Sequence, residues 1–215
     1  MKPLWFAIER LAGLLAFLFL APFLAVIAAV ILMLSRRAPL IAHRRLGLHG
    51  APFWMLKFRT MWASDRGARR QLKARRITAL RIPSALIERL QGETVPEIKT
   101  GDDPRVTSRF ARFCRKHSID ELPQLWHVAL GEMSLVGPRP VTPREWTRYY
   151  GESAAEVLGL KPGLTGLWQT RGRNRLTYRQ RRRLDIFLAR HYCLLLYLRI
   201  LGATVPKVLA GRDAW

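Results

Sequence analysis

Residues 11–34 read LAGLLAFLFLAPFLAVIAAVILML and contain no charged side chain. At about 1.5 Å of rise per residue, a helix of that length reaches across a hydrocarbon core of about 30 Å, so the chain is expected at a membrane. A cleaved secretory leader fits poorly. The apolar run is too long for one, and it is followed by Arg36, Arg37, Arg44 and Arg45 in place of a small-residue cleavage site. Lys2 and Arg10 precede the run, so cations flank both ends, and if both flanks stay cytoplasmic the segment must enter and leave through one face. Pro22 stands near the middle, where its missing N–H and its clash with the preceding turn break or kink a helix. These residues leave two readings open: a re-entrant helical hairpin pivoting at Pro22, and a transmembrane anchor with a tolerated proline.

At 215 residues the chain has room for one globular unit behind that segment. Its 37 Lys plus Arg against 15 Asp plus Glu give a formal charge of +22, which calls for a polyanionic surface or substrate: nucleic acid, anionic headgroups or a phosphorylated ligand. Cys114 and Cys193 are far apart and show no metal-ligand spacing, so neither a zinc site nor a disulfide framework is indicated.

Beyond the apolar run, residues 43–61 read as a glycine-punctuated turn and a short strand, on which Lys57 and Arg59 share a face. Residues 64–92 read as a basic helix suited to anionic headgroups. The GPRP run at 137–140 holds Arg139 on stiff backbone and the PGLTG run at 162–166 repeats the device before Arg171 and Arg173, an arrangement that suits phosphate recognition. Residues 176–210 alternate charge with apolar stretches and read as amphipathic helix.

Asp120 and Glu121 are adjacent acids just after Arg112, Arg115 and Lys116. The segment S-I-D-E at 118–121 spells a capping box, so Glu121 could serve only to reach back to Ser118. At a helix start, Asp120 would be held ionised. An ionised carboxylate among cations can bind a divalent metal that bridges to phosphate, or attack phosphorus to give an acyl phosphate.

Four stretches carry a resemblance: RRLGLHGAPFWMLKFRTM (44–61), DDPRVT (102–107), RKHSIDELPQLWHVALGEMSLVGPRP (115–140) and KPGLTGLWQTRGRN (161–174). In that order behind a membrane segment, they resemble the bacterial sugar transferases, the monotopic polyprenyl-phosphate phosphoglycosyl transferases. The resemblance covers nearly the whole chain apart from about residues 63–98. It implies transfer of a sugar 1-phosphate from a UDP-sugar to a polyprenyl phosphate such as undecaprenyl phosphate, releasing UMP, as the initiating step of polysaccharide or glycoconjugate synthesis. It places the catalytic dyad on Asp120 and Glu121, with Asp120 forming a covalent phosphosugar intermediate, Mg²⁺ at the dyad, and Glu121 supporting the metal or proton handling. Lys57, Arg59, Arg115, Arg139 and Arg173 fall within the shared motifs and become candidates for phosphate contacts.

The fold expected is then mixed α/β and mostly helical. Residues 1–38 would form a re-entrant helix-break-helix around Pro22, and residues 39–215 a cytoplasmic, membrane-associated catalytic domain with amphipathic interfacial helices and a short sheet. The expected place is the bacterial inner membrane, with the site on its cytoplasmic face. Expected partners are the UDP-sugar, polyprenyl phosphate and membrane lipids, with self-association left open and nucleic acid not expected. The sequence departs from the common pattern at Ala21-Pro22, where Ser-Pro is frequent, and at His127, where Asn is common. The competing reading is a membrane-tethered basic binding or scaffold protein without catalysis.

Overall fold

The apolar run folds as part of one 33-residue helix, α1 (Pro3–Ser35), in a computed structural model that describes residues 3–62, 106, 108–172 and 176–211. The helix passes through Pro22 without interruption, so the expected helix-break-helix is not formed. A proline inside a helix removes one backbone hydrogen bond, and packed neighbours can absorb that loss. The basic helix expected at 64–92, most of the DDPRVT stretch and Arg173 lie outside the described residues.

One face of α1 has no partner among the described residues, with Leu4, Ile8, Leu11, Leu15, Leu18 and Phe19 exposed. The other face packs on the rest of the chain along most of its length. Near its start, buried Glu9 accepts hydrogen bonds from the Ser134 hydroxyl (2.6 Å), the Leu135 N–H (2.7 Å) and the Tyr197 hydroxyl (2.7 Å). In the middle, Phe17 meets Trp126 with ring centroids 5.5 Å apart. Towards its end, Leu24, Ile27 and Ile31 form one core cluster with Phe58, Cys114 and Ile119. A carboxylate that neighbours an apolar run is thus bonded three times by protein donors, which offsets the large penalty of burying it.

The antiparallel strands β1 (Leu40–Leu46) and β2 (Pro52–Phe58) follow, in register from Leu40 opposite Phe58 to Leu46 opposite Pro52. His49 and Gly50, both at positive φ, make the turn between them. Phe53 and Met55 are buried while Trp54 between them is exposed, the alternation expected of a half-buried strand, and Phe58 at the strand's end is buried from the other face in the cluster with Leu24, Ile27 and Ile31. Helix α2 (Arg109–Lys116), capped by the Ser108 hydroxyl, leads through a tight turn to α3 (Leu125–Leu130). A second pair, β3 (Ser134–Val136) and β4 (Gly163–Thr165), is parallel. After it come α4 (Leu167–Arg171), α5 (Tyr178–Arg190) and α6 (Leu194–Ala210). The last buries Tyr197 and Ile200 but leaves Leu194, Leu195, Leu198 and Val205 exposed, so its outward face is largely apolar in place of the polar face expected of an amphipathic helix. The architecture is mostly helical with short sheets and one long apolar helix.

Candidate active site

Asp120 and Glu121 lie on a six-residue 3-10 turn, Ile119–Gln124, between α2 and α3. The expected capping box is not made. Ser118 has φ 56° and ψ 22°, the left-handed region, where an N-cap would be extended, and its hydroxyl caps nothing. Glu121 instead meets β2: Lys57 Nζ donates to its Oε1 at 2.5 Å.

Asp120 is only 9% exposed. Burial, and then the charge of Glu121, push its carboxyl up to about 6, against the opposing pull of Lys57 and Arg115. The helix-start argument predicted the opposite direction; here desolvation outweighs it, as it does for carboxylates removed from water. At neutral pH the group is still mostly ionised.

The GPRP loop delivers the next cation. Arg139 stacks its guanidinium 4.7 Å from the centre of the Trp168 ring on α4, and its backbone N–H donates to Asp185 Oδ1 at 3.4 Å. Arg45, on β1, pairs with Glu145 at 2.9 Å. Lys57, Glu121, Gln124, Arg139, Arg45 and Trp168 line one crevice. Its free volume is about 20 Å³, enough for a single oxygen-sized group, so a diphosphate would meet these residues at the rim. Among the described residues, four buried donors of its lining have no hydrogen-bond partner: Nε of Arg45 and of Arg139, Nε2 of Gln124 and Nε1 of Trp168; the buried acceptor left over there is Oε1 of Gln169. Such an excess of unsatisfied donors suits an anion.

Glu121, Leu164 and Gln169 also border a second pocket of about 140 Å³. Its walls are mainly apolar, with Leu122, Leu135, Leu201 and Val208 among them, and Lys207 is the cation in its lining. Glu121 therefore stands where a cationic crevice and an apolar pocket meet. No group of three His, Cys, Asp or Glu suited to a metal occurs among the described residues. Two adjacent carboxylates do fit Mg²⁺, which commonly takes one or two protein carboxylates and completes its shell with substrate phosphate and water.

Of the residues singled out from the sequence, Asp120, Glu121, Lys57, Arg115 and Arg139 come together. Arg59 lies just past β2, and its Nε donates to the Ala38 carbonyl at 2.8 Å, holding the start of β1. His127 has a structural role: its Nε2 accepts from the Leu56 N–H at 3.0 Å, so the proton sits on Nδ1, which faces Glu132 at 2.6 Å. Sequence reasoning missed Arg45, Trp168, Arg181 and Asp185. Arg181 and Asp185 are four apart on α5 and both buried, and Leu188 continues their face. That spacing was the available signal, hidden in the run RQRRRLD.

The buried acid of this cluster gives a pH-dependent expectation. Tyr150 donates to Asp185 at 2.7 Å, yet burial pushes the Asp185 carboxyl up to about 7 from 3.8 despite Tyr150, Arg139 and Arg181. A raised carboxyl binds its proton more tightly in the folded chain, so its contribution to stability is full below about pH 4 and is lost as pH rises to about 7. Asp185→Asn is therefore expected to flatten the decline of Tm between about pH 5 and 7, measured by thermal melts of both proteins. An unchanged slope would mean that Asp185 is not the group responsible.

The family profile described as "Bacterial sugar transferase" matches residues 4–211. Among curated relatives, a UDP-galactose-lipid carrier transferase of Erwinia amylovora is 38% identical over 194 residues, 89% of this chain and 38% of that protein. The exopolysaccharide production protein ExoY of Sinorhizobium fredii is 38% identical over 209 residues, 96% of this chain and 86% of that protein. A UDP-glucose:undecaprenyl-phosphate glucose-1-phosphate transferase of Caulobacter vibrioides is 38% identical over 212 residues, 95% of this chain and 68% of that protein. The chain thus spans little more than a third of the Erwinia protein but most of the Sinorhizobium one.

Proposed function

Because the chain belongs to the bacterial sugar transferase family, we propose that it moves a sugar 1-phosphate from a UDP-sugar to a polyprenyl phosphate, releasing UMP, as an early step of polysaccharide assembly. The observation that carries this reading is Glu121, next in the chain to Asp120, at the junction of a cationic crevice and an apolar pocket. The two substrates need those two environments: one is a water-soluble diphosphate, the other a phosphate joined to a hydrocarbon chain. The printed names of two relatives pair a UDP-sugar with a lipid acceptor, which supports the same reading.

In the first step an Asp120 carboxylate oxygen attacks the phosphorus that bears the sugar. A P–O acyl phosphate bond forms, the P–O bond to the uridine phosphate breaks, and UMP leaves with the electron pair. In the second step an oxygen of the lipid phosphate attacks the same phosphorus and the Asp120 carboxylate departs unchanged, so atoms and charge balance. Lys57, Arg115 and Arg139 meet the phosphate oxygens and the charge that shifts to the leaving group. The low exposure of Asp120 keeps water from hydrolysing the acyl phosphate. Asp120 and Glu121 would hold Mg²⁺, which when bound neutralises diphosphate charge.

For placement we propose that α1 stays in one leaflet, with both ends on the cytoplasmic face of the inner membrane. Contacts from Glu9 at one end and Ile31 at the other reach the same globular body, which supports a helix lying along that body in place of one leaving it. After replacement of the exposed native Cys193 by Ser, single cysteines at Leu4 and Ser35 are expected to react with an impermeant maleimide from the cytoplasmic side alone. Labelling of one end from the opposite side would make α1 a true span.

Release of UMP from a panel of UDP-sugars, with undecaprenyl phosphate and Mg²⁺, tests the reaction. Continuous release that requires the lipid acceptor, beyond the single UMP per chain that the first step alone gives, supports it and identifies the sugar. No release from any donor would favour the non-catalytic scaffold.

A further inference from the structure

A second cluster of cations lies on the other side of β3 from the carboxylates. Successive strand side chains point to opposite faces. Leu135 lines the apolar pocket beside Glu121, while Ser134 lines a separate cavity of about 370 Å³. Phe6, Arg10, His49, Leu160, Lys161 and Tyr192 wall that cavity, and no acid lines it among the described residues.

Arg10 and Lys161 converge there. Arg10 Nε donates to the Ala129 carbonyl at 3.1 Å, and Lys161 Nζ stands 4.7 Å from the centre of the Phe6 ring. A Cβ placed on Gly131 would lie 3.3 Å from Arg10 Nε and 3.5 Å from Lys161 Nζ, so the two charges are within about 7 Å of each other. Neither makes an ion pair among the described residues. Two like charges this close repel, and an anion between them would relieve the repulsion.

The surroundings say which anion. Leu4, Ile8 and Leu11 leave α1 exposed beside Phe6 and Arg10, and Leu194 and Leu195 are exposed just after Tyr192. The edge-on Trp5–Tyr197 contact, 5.1 Å between centroids, joins these two helix starts. A cationic cavity between two exposed apolar helix surfaces suits the headgroup level of a bilayer, with acyl chains running along the leucines. Its volume equals about a dozen waters, room for a phosphate and its glycerol.

We propose that this cavity holds the phosphodiester headgroup of an anionic bilayer phospholipid and so anchors the start of α1. The occupant is not the acceptor of the transferase reaction, because an acceptor phosphate bound here would sit across β3 from Asp120. This inference does not depend on the transferase reading.

Native mass spectrometry from nanodiscs of mixed phosphatidylglycerol and phosphatidylethanolamine tests it. The parent is expected to retain one phosphatidylglycerol. Lys161→Gln should lower that retention about fivefold, and Arg10→Gln with Lys161→Gln about 25-fold, from about 1 kcal/mol per cation near an anionic surface. Arg10→Lys, which keeps the charge, should retain most of the lipid, and Arg199→Gln, which removes an exposed cation of α6, should retain all of it. Thermal melts check that each variant is folded, and Lys161→Gln, at an ammonium that makes no hydrogen bond among the described residues, is the variant least able to unfold the chain.

Equal retention by the double variant would overturn the proposal. So would an equal loss in Arg199→Gln, which would indicate diffuse surface charge. Displacement by millimolar inorganic phosphate would make the cavity a simple anion site, and preferential retention of polyprenyl phosphate would assign it to the acceptor; either overturns the phospholipid.

Discussion

Asp120→Asn is expected to lower UMP release by about 10³-fold or more while leaving the fold intact. Asparagine matches the shape of aspartate but its amide does not attack phosphorus, so a nucleophilic role fails completely and a positioning role only in part. The fold should tolerate the change because the native carboxyl, pushed up to about 6 by burial and by Glu121, is itself a costly group to keep ionised. In the absence of Mg²⁺, removing one negative charge beside Lys57 and Arg115 should also leave binding of the UDP-sugar unchanged or tighter. That separates catalysis from mere polyanion binding, since a non-catalytic basic scaffold predicts no loss of any kind. With a donor labelled on the sugar-bearing phosphate and no lipid acceptor, the parent should take up label that hydroxylamine releases, and the variant should take up none. Turnover within about tenfold of the parent would remove Asp120 as the nucleophile, leaving Glu121 or direct attack by the lipid phosphate.

How far these roles could be read from the sequence depended on whether local or tertiary effects decided them. The acid pair, the strand carrying Lys57 and the stiff GPRP loop carrying Arg139 were legible because adjacency, period-two spacing and proline chemistry are local. The direction of the Asp120 shift was not, because burial by α1, α2 and β2 outweighs the helix start and no local pattern reports it. Ser118 failed as a cap for a related reason: the chain turns there through a left-handed conformation set by how α2 meets the 3-10 turn. Arg181 and Asp185 sit in a run of charges that any composition-based reading assigns to solvent, yet both are buried. Glu9 is the mirror case. It looks like a boundary residue of the apolar run, and only the arrival of Ser134 and Tyr197 from more than 100 residues away makes it a buried anchor. At Pro22 the local rule predicted a break, and the continuous helix shows the rule overridden.

The PGLTG and GPRP runs set the second large expectation, a loss of about 3 kcal/mol or more for Gly163→Ala. Gly163 opens β4 and Gly137 directly follows β3, and there the two backbones touch with no side chain between them. A Cβ on Gly163 would lie 2.1 Å from the Gly137 nitrogen and 2.3 Å from the Thr165 carbonyl oxygen, distances no carbon can occupy. The neighbours cannot easily yield: Gly163 N–H donates to the Pro138 carbonyl and Gly137 N–H to that of Thr165, each at 2.9 Å. The contact must open, and with it the ladder that sets Arg139 on one strand's exit and Trp168 on the other's. Tm should fall by roughly 6–12 °C for a chain of this size, and UMP release should fall further than the unfolded fraction explains, because the Arg139–Trp168 stack is displaced. Gly159→Ala is the control, since a Cβ there meets nothing within 4 Å, and it should change stability by no more than about 0.5 kcal/mol. If Gly163→Ala melts with the parent, the two backbones are not in contact in solution. The glycines of both runs would then serve loop flexibility, and the fixed placement of Arg139 would need another cause.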